Sequence, residues 1–147
     1  MEIREVTENK KQYLSLLLLA DEQEDMIDRY LARGTMFVLD DGGVKAECVV
    51  TDEGNRLLEL KSLAVVPEAQ GQGYGRKMIA FLKARYAAEF DILQVGTGDS
   101  PRTVPFYEKC GFVRHHIIKD FFTVHYDHPI IEDGVLLTDM VCLQMPL

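Results

Sequence analysis

The sequence predicts a mixed α/β fold, with one sheet carrying antiparallel and parallel strands and helices on both faces. Three observations lead there. Strand-like apolar runs, Thr35 to Asp40, Val44 to Thr51 and Arg56 to Val66, are separated by the turn signals Asp40-Asp41-Gly42-Gly43 and Asp52-Glu53-Gly54-Asn55. A run with glycine at alternate positions, Gly71, Gly73 and Gly75, joins a strand to an amphipathic helix. The element order, β-α-α-β-β-β-α-β-α-β-β, links early strands by hairpins and later ones through a helix, which makes that later pair parallel.

Taken in order, Glu2 to Val6 alternates and reads as a first strand. Glu8 to Leu19 reads as a helix with Leu14, Leu17 and Leu18 on one face. Asp21 to Ala32 reads as a second helix. Its acidic first turn (Asp21, Glu22, Glu24) suits the positive end of the helix dipole, its apolar stripe is Met26, Ile27, Tyr30 and Leu31, and Gly34 ends it. Thr35 to Asp40 and Val44 to Thr51 read as strands around the hairpin signal Asp40-Asp41-Gly42-Gly43. A second turn, Asp52-Glu53-Gly54-Asn55, leads into a strand from Arg56 to Val66.

That strand breaks its own pattern. Leu58 and Leu60 are apolar while Glu59 and Lys61 are polar, but after Ser62 the run Leu63-Ala64-Val65-Val66 is apolar throughout. Either both faces become buried or an extra residue shifts the phase; the expectation is the second, a β-bulge near Ser62 with free N–H or C=O groups facing a ligand. Tyr74 to Glu89 is the third helix, with Met78, Ile79, Leu82 and Tyr86 inward. Asp91 to Thr97 is a strand, and Gly98-Asp99-Ser100-Pro101 a turn. A short helix follows from about Arg102 to Cys110, closed by Gly111, with Pro105 limiting where it starts. Phe112 to Asp120 and Val135 to Leu143 read as a closing strand pair.

Composition bounds the rest. A chain of 147 residues with 47 % hydrophobic content suits one domain over residues 1–147 with a real core. No apolar run is long enough for a membrane span, and Met1 to Glu5 lacks a signal-peptide pattern. The cysteines Cys48, Cys110 and Cys142 are odd in number and lack metal spacing, which points to buried thiols in a reducing cytoplasm. A net charge of −8 argues against nucleic acid as a partner. The acidic surface would attract a cationic partner such as an amine.

Positive charge gathers at one place. Arg76, Lys77, Lys83 and Arg85 lie on the third helix, and the first two directly follow the glycines. Glycines allow a ligand close to the backbone, and the first turn of a helix offers free N–H groups, so the stretch describes a pyrophosphate cradle. The Walker pattern fails because no Gly-Lys-Ser/Thr closes the loop, and the dinucleotide G-x-G-x-x-G fails because Arg76 stands where its last glycine belongs. The alternative is a glycine-rich turn without a ligand.

Gln70-x-x-Gly73-x-Gly75, preceded by Leu63-Ala64-Val65-x-Pro67, resembles the coenzyme A loop of the GCN5-related N-acetyltransferase (GNAT) superfamily. A second motif, Val104-Pro105-Phe106-Tyr107-Glu108-Lys109-Cys110-Gly111-Phe112, is similar to that family's L-Y-x-K-x-G-F signature, and the element order matches along essentially the whole chain. There are departures: Asp99-Ser100-Pro101 stands where the family often has an asparagine that helps hold the cofactor, and Pro105 inside the signature is unusual.

The resemblance implies about seven strands, with the fourth and fifth splayed at their C-terminal ends. Acetyl-CoA would be the co-substrate, without a metal. Its pantetheine arm would pair with Leu63, Ala64 and Val65 in the splay, its diphosphate would rest on the amides of Gly71, Gln72, Gly73, Tyr74, Gly75 and Arg76, and Gln70 would join the cofactor site. Phe106, Tyr107 and Lys109 would complete the cofactor site. The family often forms homodimers.

Acetyl transfer to an amine sets three chemical problems. An alkyl amine with a pKa near 10 is only about one part in 10³ neutral at pH 7, a cost of about 4 kcal/mol. A carboxylate in the cleft lowers that cost, directly or through water, and Glu59 matches the family's strand-four glutamate base. The other reading of Glu59 is an ion pair with Lys61 or Arg56 on a solvated face. The Leu63 N–H is position-matched as oxyanion donor, an interaction of about 3 kcal/mol. Tyr107 matches the family's general acid for the departing thiolate, the other reading being a core tyrosine.

Cys110 reads as a buried apolar thiol rather than a covalent nucleophile. His125-Tyr126-Asp127-His128 lacks a partner pair for metal binding. With Phe121 and Phe122 it reads as an insertion lining the acceptor pocket, or as a plain structural hairpin, and this segment with Asp139-Met140 looks like a bacterial branch of the superfamily. The expected function is an acetyl-CoA-dependent N-acetyltransferase acting on a primary amine. The competing readings are a non-catalytic acetyl-CoA sensor of the same fold and a nucleotide-binding protein using the same loop.

Overall fold

A computed structural model describes all of residues 1–147. The elements are β1 (Glu2–Val6), a 3-10 turn (Lys10–Tyr13), α1 (Leu14–Ala20), α2 (Glu24–Asp28), β2 (Thr35–Asp40), β3 (Val44–Asp52), β4 (Leu57–Val65), α3 (Tyr74–Tyr86), β5 (Ile92–Gly98), α4 (Thr103–Lys109), β6 (Val113–Ile118), α5 (Phe121–His125), β7 (Ile131–Glu132), β8 (Val135–Leu136) and β9 (Met140–Pro146). The main sheet has seven strands in the order β1-β2-β3-β4-β5-β9-β6, and β7 and β8 form a separate hairpin. All neighbouring pairs are antiparallel except β4 and β5, which the α3 crossover makes parallel.

The sheet separates two cores. On one face Leu58, Leu60, Leu93 and Leu143 bury against Met78, Ile79 and Leu82 of α3 and Tyr107 of α4. On the other, Met36, Val38 and Val49 bury against Leu17 of α1 and the stripe Ile27, Tyr30 and Leu31. A small third cluster, Phe122, Ile130 and Leu137, lies under the chain between β6 and β9.

The irregularity in β4 is a bulge at Lys61. The β3–β4 register runs Val50↔Leu60 and then Val49↔Ser62, so Lys61 is the extra residue. The shift keeps Leu63 and Val65 on the face of Leu58 and Leu60, while Glu59, Ser62 and Ala64 share the other. The expected splay is present: β4 and β5 pair only from Leu57↔Ile92 to Leu60↔Val95. Beyond that point β5 continues along β9 as far as Gly98↔Met140, and a V opens beside Lys61 to Val65.

Four expectations need correction. The helix expected over Glu8 to Leu19 is split, because Asn9 is left-handed (φ 47) and Tyr13 leaves helical geometry between the 3-10 turn and α1. The helix expected over Asp21 to Ala32 shrinks to Glu24–Asp28. Asp21 is extended, and its carboxylate accepts the Tyr126 hydroxyl at 2.8 Å instead of serving the first turn. Residues 29–33 continue as turns, with Lys10 Nζ donating to the Leu31 and Gly34 carbonyls at 2.9 and 2.7 Å. The strand expected from Val135 to Leu143 begins at Met140; Val135 and Leu136 pair with β7 across Asp133 and Gly134, both at positive φ. The short helix α5 was not expected at all.

Candidate active site

The glycine loop presents a row of free donors. The amides from Gly71 to Arg76 donate to no backbone or side-chain acceptor, and the first α3 bond into this region runs from Lys77 N to Gly73 O, at 3.0 Å. Gly71 (φ 79) and Gly73 (φ 85) adopt left-handed conformations that suit glycine, the class of backbone from which anion-binding concavities of successive N–H groups are built. Gly75 is fixed by space instead: a Cβ there would stand 3.0 Å from the Phe106 ring of α4. Arg76 and Lys77 are exposed beside the row. The Tyr74 hydroxyl donates to Asp41 at 2.6 Å, tying the helix start to the β2–β3 turn.

The other sequence-predicted cofactor residues surround this row. Leu63, Ala64 and Val65 form the β4 arm of the V. Gln70 Nε2 donates to the Val65 carbonyl at 3.1 Å. Gln72 is exposed in the loop, Phe106 is half-buried at the α3–α4 contact, and Lys109 is exposed at the end of α4. Ser100 faces inward, its Oγ accepting from Thr103 N at 3.2 Å, so it starts α4. Pro105 lies in the first turn of α4, where proline is tolerated.

Tyr107 is buried, edge-on to Phe106 and Phe112. Burial pushes its phenol pKa well up, and the Cys110, Glu47 and Glu132 charges push the same way, so the proton is held firmly. Burial also raises the Cys110 thiol, against the pull of Arg76 and Lys83, which leaves it a poor nucleophile. Glu59 forms an ion pair with Lys61 and accepts a bond from Gln94 Nε2, while Gln144 Nε2 donates to Gln94 Oε1 at 2.7 Å. The row Glu59-Gln94-Gln144 crosses β4, β5 and β9 in register. Arg56 pairs with Asp91 instead, at 3.0 Å.

Behind the V lies a cavity of about 270 Å³, with Glu59, Leu60, Lys61 and the Gly96–Gly98 backbone on one side. Phe121, Phe122 and Tyr126 form an aromatic wall, with the Phe122 and Tyr126 rings stacked at 5.5 Å. The aromatic insertion therefore does face a pocket. A Cβ at Gly96 would fall 2.5 Å from Met140 Sδ, and one at Gly98 2.4 Å from Leu137 Cδ1, so β5 needs glycine where the returning chain crosses it. The histidines of the insertion have separate tasks: His125 Nδ1 meets Arg29 Nη1 at 3.3 Å, and His128 bonds Glu22 and Asp127.

Several charged residues here were not singled out from sequence. Arg29, Arg33, Asp21 and Glu132 line the cavity. Burial raises the Asp21 carboxyl against the pull of the Tyr126 hydroxyl, and raises Glu132 with help from Asp133 and Glu22. Glu47 on β3 is fully buried opposite Ala64, with Ser62 Oγ donating to Oε1 at 2.6 Å and Oε2 unpartnered. Burial pushes its pKa up to about 8 against the Ser62 bond. The isolated Glu47 between Ala46 and Cys48 in an apolar strand was the one local signal for it.

Comparison with known proteins agrees with this geometry. The acetyltransferase (GNAT) domain family matches residues 32–114. The uncharacterised N-acetyltransferase YvbK of Bacillus subtilis (strain 168) is 35% identical over 144 residues, 95% of this chain and 92% of the relative. A GNAT family acetyltransferase from Elizabethkingia anophelis, solved with acetyl-CoA bound, superposes with a TM-score of 0.93 at 31% identity, covering 99% of this chain and 97% of that one. An IAA acetyltransferase from Bacillus cereus gives 0.90 at 34% identity, covering 99% of each chain. With its loop, its splayed strands and these relatives, the chain belongs to the GNAT acetyltransferase family.

Proposed function

We propose that this protein transfers the acetyl group of acetyl-CoA directly to the primary amine of a small molecule held in the cavity behind the V. The single observation that carries the reading is the row of free amides from Gly71 to Arg76, flanked by exposed cations and opening onto unpaired β4 backbone. Acetyl-CoA bound to the Elizabethkingia relative supports it. The cavity volume of about 270 Å³ suits a small acceptor better than a folded partner. The free cysteines Cys48, Cys110 and Cys142 support a reducing compartment, the cytoplasm.

In this reading the amide row, Arg76 and Lys77 hold the diphosphate, and the arm runs along Leu63 to Val65, with Gln70 giving up the Val65 carbonyl. The ammonium gives one proton to Glu59, directly or through water, once the Lys61 pair loosens. The neutral nitrogen attacks the thioester carbonyl, whose oxygen draws on the Leu63 N–H. The C–N bond forms, the C–S bond breaks, and the sulfur takes a proton from Tyr107. The second amine proton returns to the phenolate, leaving amide, free thiol and one released proton. Glu59→Gln lowers turnover; turnover unchanged at saturating acetyl-CoA and amine removes Glu59 from the mechanism.

Thiol release from acetyl-CoA with a panel of primary amines, with products weighed by mass spectrometry, tests the whole reading. Acetylated amine is the expected product. No uptake of acetyl-CoA by calorimetry at millimolar concentration overturns it, and tighter binding of ATP than of CoA returns the loop to a nucleotide.

A further inference from the structure

The charged side chains lining the acceptor cavity pair off, with two exceptions. Lys61 is held by Glu59, Arg33 by Glu53 at 2.9 Å, and Asp21 by the Tyr126 hydroxyl at 2.8 Å. Glu132, on β7, is half-buried and has neither a hydrogen-bond nor an ion-pair partner. Arg29, exposed beyond the end of α2, has no carboxylate partner, and its side-chain hydrogen bond is to His125 Nδ1, at 3.3 Å. A half-buried carboxylate without a partner is costly, and it faces a cavity rather than bulk water. A surface guanidinium in water is ordinary by itself. One unpaired charge of each sign on a single cavity that Phe121, Phe122 and Tyr126 also line is not.

We propose that the acceptor is a zwitterion, a primary amine whose ammonium is met by Glu132 and which also bears a carboxylate met by Arg29, on an apolar or aromatic body. The inference rests on the acetyl-transfer reading and names its substrate class. A guanidinium binds a carboxylate through parallel donors, and a carboxylate anchors an ammonium through charge-assisted bonds. Aromatic faces accept either an apolar body or a cation. Glu132 and Arg29 thus set which amine is held, while Glu59 remains beside the V to take its proton.

Matched amines with and without a carboxylate test the proposal: L-phenylalanine against 2-phenylethylamine, and 4-(aminomethyl)benzoate against benzylamine. In at least one pair the zwitterion should show a kcat/KM about tenfold or more above its partner. Arg29→Gln should bring that ratio to within about twofold of unity through KM, and Arg29→Lys should restore part of it. Glu132→Gln should raise KM for both members more than it lowers kcat. The proposal is overturned if the carboxylate-free amine is as good in every pair, or if the ratio survives Arg29→Gln. Silence from every probe while calorimetry still registers acetyl-CoA overturns the substrate class and leaves the cofactor reading standing; loss of acetyl-CoA uptake itself overturns both.

Discussion

The proposed cofactor side and the proposed acceptor side of this site are built differently. The first is nearly continuous in sequence: the β4 bulge, the V and the free amides all fall between Lys61 and Arg76. It works chiefly through backbone, so its signals are glycines and a broken alternation. The second is assembled from α2, β4, β5, α5, β7 and β9, which lie far apart in the chain, and it works through side chains. Such a division lets a family keep one cofactor while changing its acceptors, because a substitution in α5 or β7 leaves the amide row untouched.

Tyr107 is where the two sides meet, so its loss should have the largest effect. It comes from the motif-bearing helix α4, yet its hydroxyl feels Glu132 of the acceptor cavity. Tyr107→Phe keeps the ring contacts with Phe106 and Phe112 and removes only the hydroxyl, the proposed proton donor. Turnover should fall by about 10²-fold, the usual scale for a lost general acid, with acetyl-CoA affinity within about twofold of wild type. Burial holds the phenol protonated well above its ordinary range, so its ionisation should not shape the pH–rate profile between pH 6 and 9. Single-turnover rates and calorimetry check both halves. A variant that keeps its turnover would make Tyr107 a core residue and nothing more.

Gly73→Val asks whether the cofactor side can be damaged alone. A Cβ at Gly73 would meet nothing within 4 Å, so the cost is conformational: φ is 85, and side chains in left-handed backbone cost about 1–2 kcal/mol. The dissociation constant of acetyl-CoA should rise by about 5- to 30-fold as the loop relaxes and the amides lose their common direction. Relative kcat/KM values across an amine panel should stay put. If the preference among amines moves as well, the two halves of the site are coupled and the division above fails.

This contrast also explains what sequence could reveal. The hairpin at Asp40 to Gly43, the bulge near Ser62 and the core stripes of α3 rest on local chemistry, and each was legible. The bounds of α2 were not, because Asp21 is claimed by Tyr126 from more than a hundred residues away. The β7–β8 hairpin did carry a local signal, Asp133-Gly134, but the apolar run from Val135 looked like continuous strand. Glu132 and Arg29 gave no hint at all, since a charged residue next to a turn is ordinary until the fold brings it to a cavity wall. The sequence around Glu59 fits either a base or an ion-pair partner; the pair with Lys61 exists, and the residue lines the cavity as well.

Glu47 supplies the smallest effect, and one that reports on the seam between the two sides. It sits on β3 across from Ala64, in the proposed cofactor arm of β4, and its charge reaches both Tyr107 and Tyr30, which lines the cavity. Burial raises its pKa to about 8, whereas in the unfolded chain it ionises near an ordinary glutamate value of about 4.3. Between these values the unfolded state releases a proton that the folded state keeps. Rising pH therefore favours unfolding, by at most about 1.4 kcal/mol per pH unit, and above about pH 8 the slope disappears. Glu47→Gln keeps an oxygen to accept from Ser62 Oγ and cannot ionise. Relative to wild type, the variant should thus gain stability as pH rises from 5 to 8, with its melting temperature pulling ahead by about 3 °C or more. Thermal melts of both proteins across that range decide the matter. Parallel curves would mean that the buried carboxyl is solvated when ionised, and that the seam between cofactor arm and acceptor wall is wet rather than dry.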